Sequence, residues 1–142
     1  MEVSDVRRRL QEVIEQSKRA AAERRVRVQE AEEAYGTFLN GVAIPVLRQL
    51  ANVLKVEGYP FTVATPAGSV RLSSDRTAQN FLELTLDTEG QTPVVQCHVS
   101  YERGRRVQSH ERPVCEGTPI AEIGDEALLE FLLPEIARFV AR

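Results

Sequence analysis

The chain has 142 residues, 42% of them hydrophobic, which is the composition of one globular domain and not of a disordered tail. A chain of that length can bury about two-thirds of its unfolded surface, so it needs neither disulfides nor a metal to fold. Its 18 Lys and Arg against 21 Asp and Glu leave a net charge of −3, the wrong sign for a general polyanion binder, so nucleic acid is not an expected partner.

Helical periodicity runs through residues 4–57. Ser4 is the expected N-cap, and Asp5 suits the first turn, where the helix dipole favours negative charge. No Pro or Gly interrupts Asp5 to Tyr35. Arg8–Glu12, Glu15–Arg19, Arg19–Glu23 and Glu23–Arg27 stand at i,i+4 spacing, which adds a few tenths of a kcal/mol per pair. Val3, Val6, Leu10, Val13 and Ser17 step alternately by three and four, the narrow seam of a coiled coil. The stripe thins through Ala20, Ala21 and Ala22, with Arg24 and Arg25 following. It resumes at Val28, Ala31, Tyr35, Phe38, Leu39 and Val42 and widens through Val46, Leu50, Val53 and Leu54 into a face suited to a core. Asn40-Gly41 and Pro45 mark a weak point, where the helix should kink or split in two. Gly58 and Pro60 should end it near Glu57.

From Tyr59 the period changes to two. Phe61, Val63 and Thr65 outline a first strand, and Val70 and Leu72 a second. Leu82, Leu84 and Leu86 mark a third, and Val95, Cys97, Val99 and Tyr101 a fourth. Arg106–Arg112 is poor in apolar residues and belongs at an edge. A three-residue turn, Arg103-Gly104-Arg105, would set Tyr101 opposite Val107 and His98 opposite His110, keeping Val107 on the apolar face. Asp125 should cap a last helix. Apolar residues cover most of that helix's circumference from Ala127 to Val140, so it should be largely buried, and Pro134 should kink or split it. The fold class is α+β: a long N-terminal helix kinked or split near Asn40–Pro45, an antiparallel meander of four or five strands, and a C-terminal helix packed on one sheet face. Residues 1–40 form a helical arm and 41–142 an α+β core, a single domain overall.

Few residues suggest chemistry. There is no nucleophile elbow, phosphate loop or dinucleotide glycine fingerprint, so no catalytic residue and no cofactor is expected. Glu32-Glu33 and Asp125-Glu126 sit on helices, where they serve as solvated or capping groups. If His98 opposes His110, their Cβ atoms are ~5 Å apart, and Glu83 faces the same side. These three are weak metal candidates only, since a zinc site needs three or four convergent ligands. Two cysteines make no disulfide framework, and Cys97 sits at an apolar strand position as a buried thiol. Arg7-Arg8-Arg9 and Arg24, Arg25 and Arg27 suit an exposed, salt-bridged helix face. Arg103, Arg105, Arg106 and Arg112 gather at a hairpin tip, either to meet an acidic partner or to protect an edge strand from pairing.

No apolar leader segment and no apolar run of ~20 residues is present, so a cytoplasmic protein with no membrane contact is expected. A helix of ~30 residues spans ~45 Å. A body with a radius of gyration near ~14 Å cannot shelter that length. Val3, Val6, Leu10 and Val13 then call for another chain. The expected function is a non-catalytic interaction or assembly module, probing either a second copy or a partner helix. The alternatives are an arm folded back as an αα-hairpin, a small-ligand binder or enzyme with a pocket between sheet and helices near His98 and His110, and weak nucleic-acid binding through the arginines.

Overall fold

Thirty-six residues of unbroken helix, α1 (Val3–Phe38), open the chain. The computed structural model describes residues 1–141. The helix starts two residues earlier than a Ser4 cap implies, with Glu2 in the N-cap position and no side chain capping it. None of the four i,i+4 charge pairs closes. The arm's ion pair is Arg8 with Asp5 at 3.4 Å. Exposed pairs gain too little in water to hold two long side chains in one geometry.

At Asn40–Pro45 the chain widens and does not break. Pro45 has no N–H to offer the preceding turn. Leu39–Ala43 forms a π-turn in which the Ile44 N–H reaches back five residues to the Leu39 carbonyl. The Asn40 side-chain amide also donates to the Gly36 carbonyl, at 3.0 Å. The helix resumes as α2 (Ile44–Val56) and stops at Gly58, whose φ of +93° suits a glycine C-cap. Residues 3–56 are therefore joined helical pieces.

Five strands follow: β1 (Phe61–Ala64), β2 (Val70–Ser74), β3 (Phe81–Asp87), β4 (Val94–Arg103) and β5 (Arg106–Pro113). They form one antiparallel sheet in chain order. A short 3₁₀ turn, Ile120–Glu122, leads to α3 (Asp125–Val140). Gly124 takes its N-cap position, so Asp125 and Glu126 serve in the first turn and not as the cap. Pro134 is accommodated within one continuous helix.

The helices pack on one sheet face. Leu72, Leu82, Leu84, Val95, Cys97 and Val99 alternate inward and are fully buried or nearly so, against Leu47 of α2 and Leu128 and Leu132 of α3. Phe61 and Phe139 close one end of this layer with ring centroids 5.4 Å apart. α3 is less enclosed than its composition suggests, since Leu129 and Leu133 face outward. The opposite sheet face is polar but not bare. The Arg71 guanidinium lies 3.8 Å above the Phe81 ring, and His98 meets the same ring edge-on at 5.5 Å.

The β4–β5 turn is where the strand register departs from expectation. It has two residues, Gly104 and Arg105, with Arg103 paired to Arg106. Gly104 comes first with φ +65°, the glycine-first pattern of a type II′ hairpin. One residue fewer in the turn flips every side chain of β5 to the other face. His98 therefore opposes Glu111, and His110 opposes Val99. Val107, assigned inward by the longer turn, is exposed.

Candidate functional site

Three groups of residues could carry function: the arm, the β5–α3 junction and the polar sheet face. The arm is the most distinctive. Val3, Val6, Leu10 and Val13 are 76%, 48%, 56% and 59% exposed, and Ile14 beside them 44%. The body first touches this helix at Arg24, whose guanidinium donates to the Thr88 carbonyl at 2.9 Å and the Glu89 carbonyl at 3.4 Å in the β3–β4 turn. Val28 and Ala31 are half-buried, and Tyr35 and Phe38 belong to the core. The Tyr35 hydroxyl reaches the Gly68 and Leu84 carbonyls at 2.8 and 3.2 Å. Burial, with a smaller push from the negative charge of Glu83, raises the Tyr35 pKa to about 12.

These side chains share one side of the rod. At 100° per residue, Val3, Val6, Leu10, Val13, Ser17 and Arg24 all fall within roughly 60° of the direction of Tyr35. The exposed seam is thus the outward continuation of the core-facing stripe. The same side that is dry at Tyr35 is wet at Leu10 because the body ends between them.

The second group centres on Glu135, which sequence reasoning missed. Glu135 has no exposed surface. His110 Nε2 lies 2.9 Å and Arg138 Nε 3.2 Å from its Oε2, while Arg112 Nη1 lies 3.0 Å from Oε1. Arg138 also reaches the Tyr101 hydroxyl at 3.3 Å, and that hydroxyl donates to Gln108 at 2.9 Å. Arg112 covers the Phe131 ring at 4.5 Å. The short turn explains the cluster. It directs His110 and Arg112 toward α3, where an edge strand whose inward positions are Gln108, His110 and Arg112 needs another means of attachment. Charge-assisted hydrogen bonds supply it. Both carboxylate oxygens are occupied by these donors, so Glu135 acts as a staple between β5 and α3. The available signal was its position: Leu128, Leu132, Glu135, Ile136 and Phe139 share the apolar stripe of α3.

The metal candidates separate. Glu83 and His98 are cross-strand neighbours on the polar face, whereas His110 lies on the helix-covered face against Glu135. Glu83 approaches Arg71 Nε at 3.9 Å. Among the described residues no group of three or more His, Cys, Asp and Glu is placed to hold a metal ion. Arg103, Arg105 and Arg106 are exposed at the hairpin tip, outside the Glu135 cluster, whereas Arg112 joins it. Cys97 is fully buried. Burial first, and the charge of Glu135 second, push its thiol up to about 12, against an opposing pull from Arg112. Among the described residues no helix is long and apolar enough to cross a membrane. The chain matches no protein-family model, no curated protein and no solved structure.

Proposed function

We propose that this protein is a cytoplasmic assembly module, a homodimer joined by a coiled coil through the projecting part of α1, with no catalytic role. The observation that carries the reading is the run of Val3, Val6, Leu10 and Val13, all about half or more exposed at coiled-coil spacing and in line with the core stripe. Most of a helix's stability in proteins comes from packing its apolar stripe, and the body supplies no such packing to this part of α1. The two free thiols, Cys97 and Cys115, fit a reducing compartment.

The affinity follows from area. Full burial of a Val or Leu side chain contributes about 1.5–3 kcal/mol, so eight half-exposed ones from two arms contribute roughly 10 kcal/mol. Association itself costs at least ~4 kcal/mol. The balance corresponds to a dissociation constant of roughly tens of micromolar. Sedimentation across a dilution series tests this. The mass should move from one copy to two between about 1 and 500 µM, the range that constant implies. A single-copy mass throughout would defeat the proposal.

The ligand-binding alternative draws less support. Its proposed pocket lies in the sheet–helix layer, which Leu47, Leu72, Leu82, Leu84, Leu128 and Leu132 fill. Its two histidines stand on opposite faces of the sheet.

A further inference from the structure

We infer that the second copy lies antiparallel along the arm, in the register that sets Val3 against Ala20, Val6 against Ser17 and Leu10 against Val13 of the other chain. This rests on the assembly reading above and adds the direction of the partner and the residues it meets. Three features of the molecule select it.

The first is where the body sits. Arg24 is fastened to the β3–β4 turn, and beyond it, on the same side as the seam, Val28 and Ala31 are half-buried and Tyr35 and Phe38 lie in the core. Helices packed seam to seam have axes ~8–10 Å apart. In a parallel pair each body would lie on the side of its helix that faces the other helix. Two bodies would then compete for one space beyond Arg24. In an antiparallel pair the bodies stand at opposite ends, and each arm tip points toward the other copy's β3–β4 turn.

The second is taper. The seam carries larger residues toward its tip, at Val3, Val6, Leu10 and Val13, and small ones at its root, at Ser17 and Ala20. Antiparallel pairing sets a larger residue against a small one at each end and joins Leu10 with Val13 in the middle. Parallel pairing would stack large on large at the tip and Ser and Ala on themselves at the root, narrowing the pair where the bodies need most room.

The third is charge, which chooses among antiparallel registers. Sliding the arms outward to pair Val3 with Val13 and Val6 with Leu10 would give the most apolar contact. It would also set Arg7 against Arg7 and Arg9 against Arg9 along the two flanks, and like charges across such a seam oppose pairing. Sliding inward would bring Arg24, already bonded to its own body, into a layer with Val6. In the register proposed, Arg7 flanks Ile14 and Arg9 flanks Gln16. Glu2 meets Glu23 only at the ends, where solvent screens the repulsion.

Cysteine pairing tests the geometry. Val3→Cys and Ala20→Cys are made separately in a Cys115→Ser background, both at exposed positions that leave the fold intact. Mixed and oxidised gently, the two proteins should form mainly the mixed disulfide, while Val3→Cys alone stays unlinked. Spin labels on the Val3→Cys protein alone should sit about 26 Å apart along the axis, against ~10 Å for parallel arms. Ready self-linking of Val3→Cys, with dimerisation intact by sedimentation, would overturn the antiparallel register and leave the assembly reading standing. Linking of Val3→Cys to Val53→Cys, on the outer side of α2, would overturn it in favour of an arm docked on the body. A monomer at all concentrations would remove both readings.

Discussion

Leu10→Ala isolates the energetics of the seam. Leu10 is 56% exposed in the single chain, so its truncation removes little from the fold of that chain. Full burial of a leucine contributes up to ~3 kcal/mol, and Leu10 would gain about half of that on pairing, of which Ala keeps a fraction. The loss is about 1 kcal/mol per copy, or about 2 kcal/mol per dimer, because each arm carries the change. That corresponds to a dissociation constant raised ~30-fold. Sedimentation equilibrium measures the constant, and urea unfolding at a dilution where the wild type is monomeric measures the fold. The expected result is a large shift in the first and less than ~0.5 kcal/mol in the second, as for an exposed site. An unchanged dissociation constant in a protein that still dimerises would refute the placement of Leu10 in the interface. A fall in monomer stability of several kcal/mol would show that the arm folds back on its own body.

Other outcomes follow from the body. Glu135→Ala leaves His110, Arg112 and Arg138 without their shared carboxylate and should cost about 2 kcal/mol in urea unfolding, since the partly exposed cations left behind can be hydrated. Amide exchange in β5 should accelerate before that in β3, and equal loss across the sheet would contradict the staple role. Gly104→Ala should cost about 1 kcal/mol from backbone strain alone, because nothing lies within 4 Å of the added methyl and φ is +65°; an unchanged melting temperature would argue against the two-residue turn. Alkaline pH should destabilise the fold. Folding raises Cys97 from 9.0 to about 12 and Tyr35 from 10.0 to about 12, so the unfolded chain releases these protons first. The stabilisation is complete below pH 9, declines as pH rises and is lost above about 12. A urea midpoint that is flat between pH 8 and 11.5 would count against the burial of both groups.

The order of elements was legible because local periodicity reports it. Steps of three and four drew the helices, alternation drew four strands with their inward residues, and Gly58 ended α2 where a left-handed residue was needed. The faces of β5 were not legible. The parity argument assumed that an inward position must be apolar, yet the inward side of this edge strand is held by a carboxylate from α3 twenty-five residues away. A strand's register depends on the length of its turn and on what waits across the space, and neither is encoded within the strand. The seam divides in the same way. Its spacing, and the fact that it outruns the body, belong to the sequence alone. That it extends the line of Tyr35 and Phe38, and so faces the side on which the body already lies, was decided by tertiary structure, because only packing fixes where around a helix the core is placed.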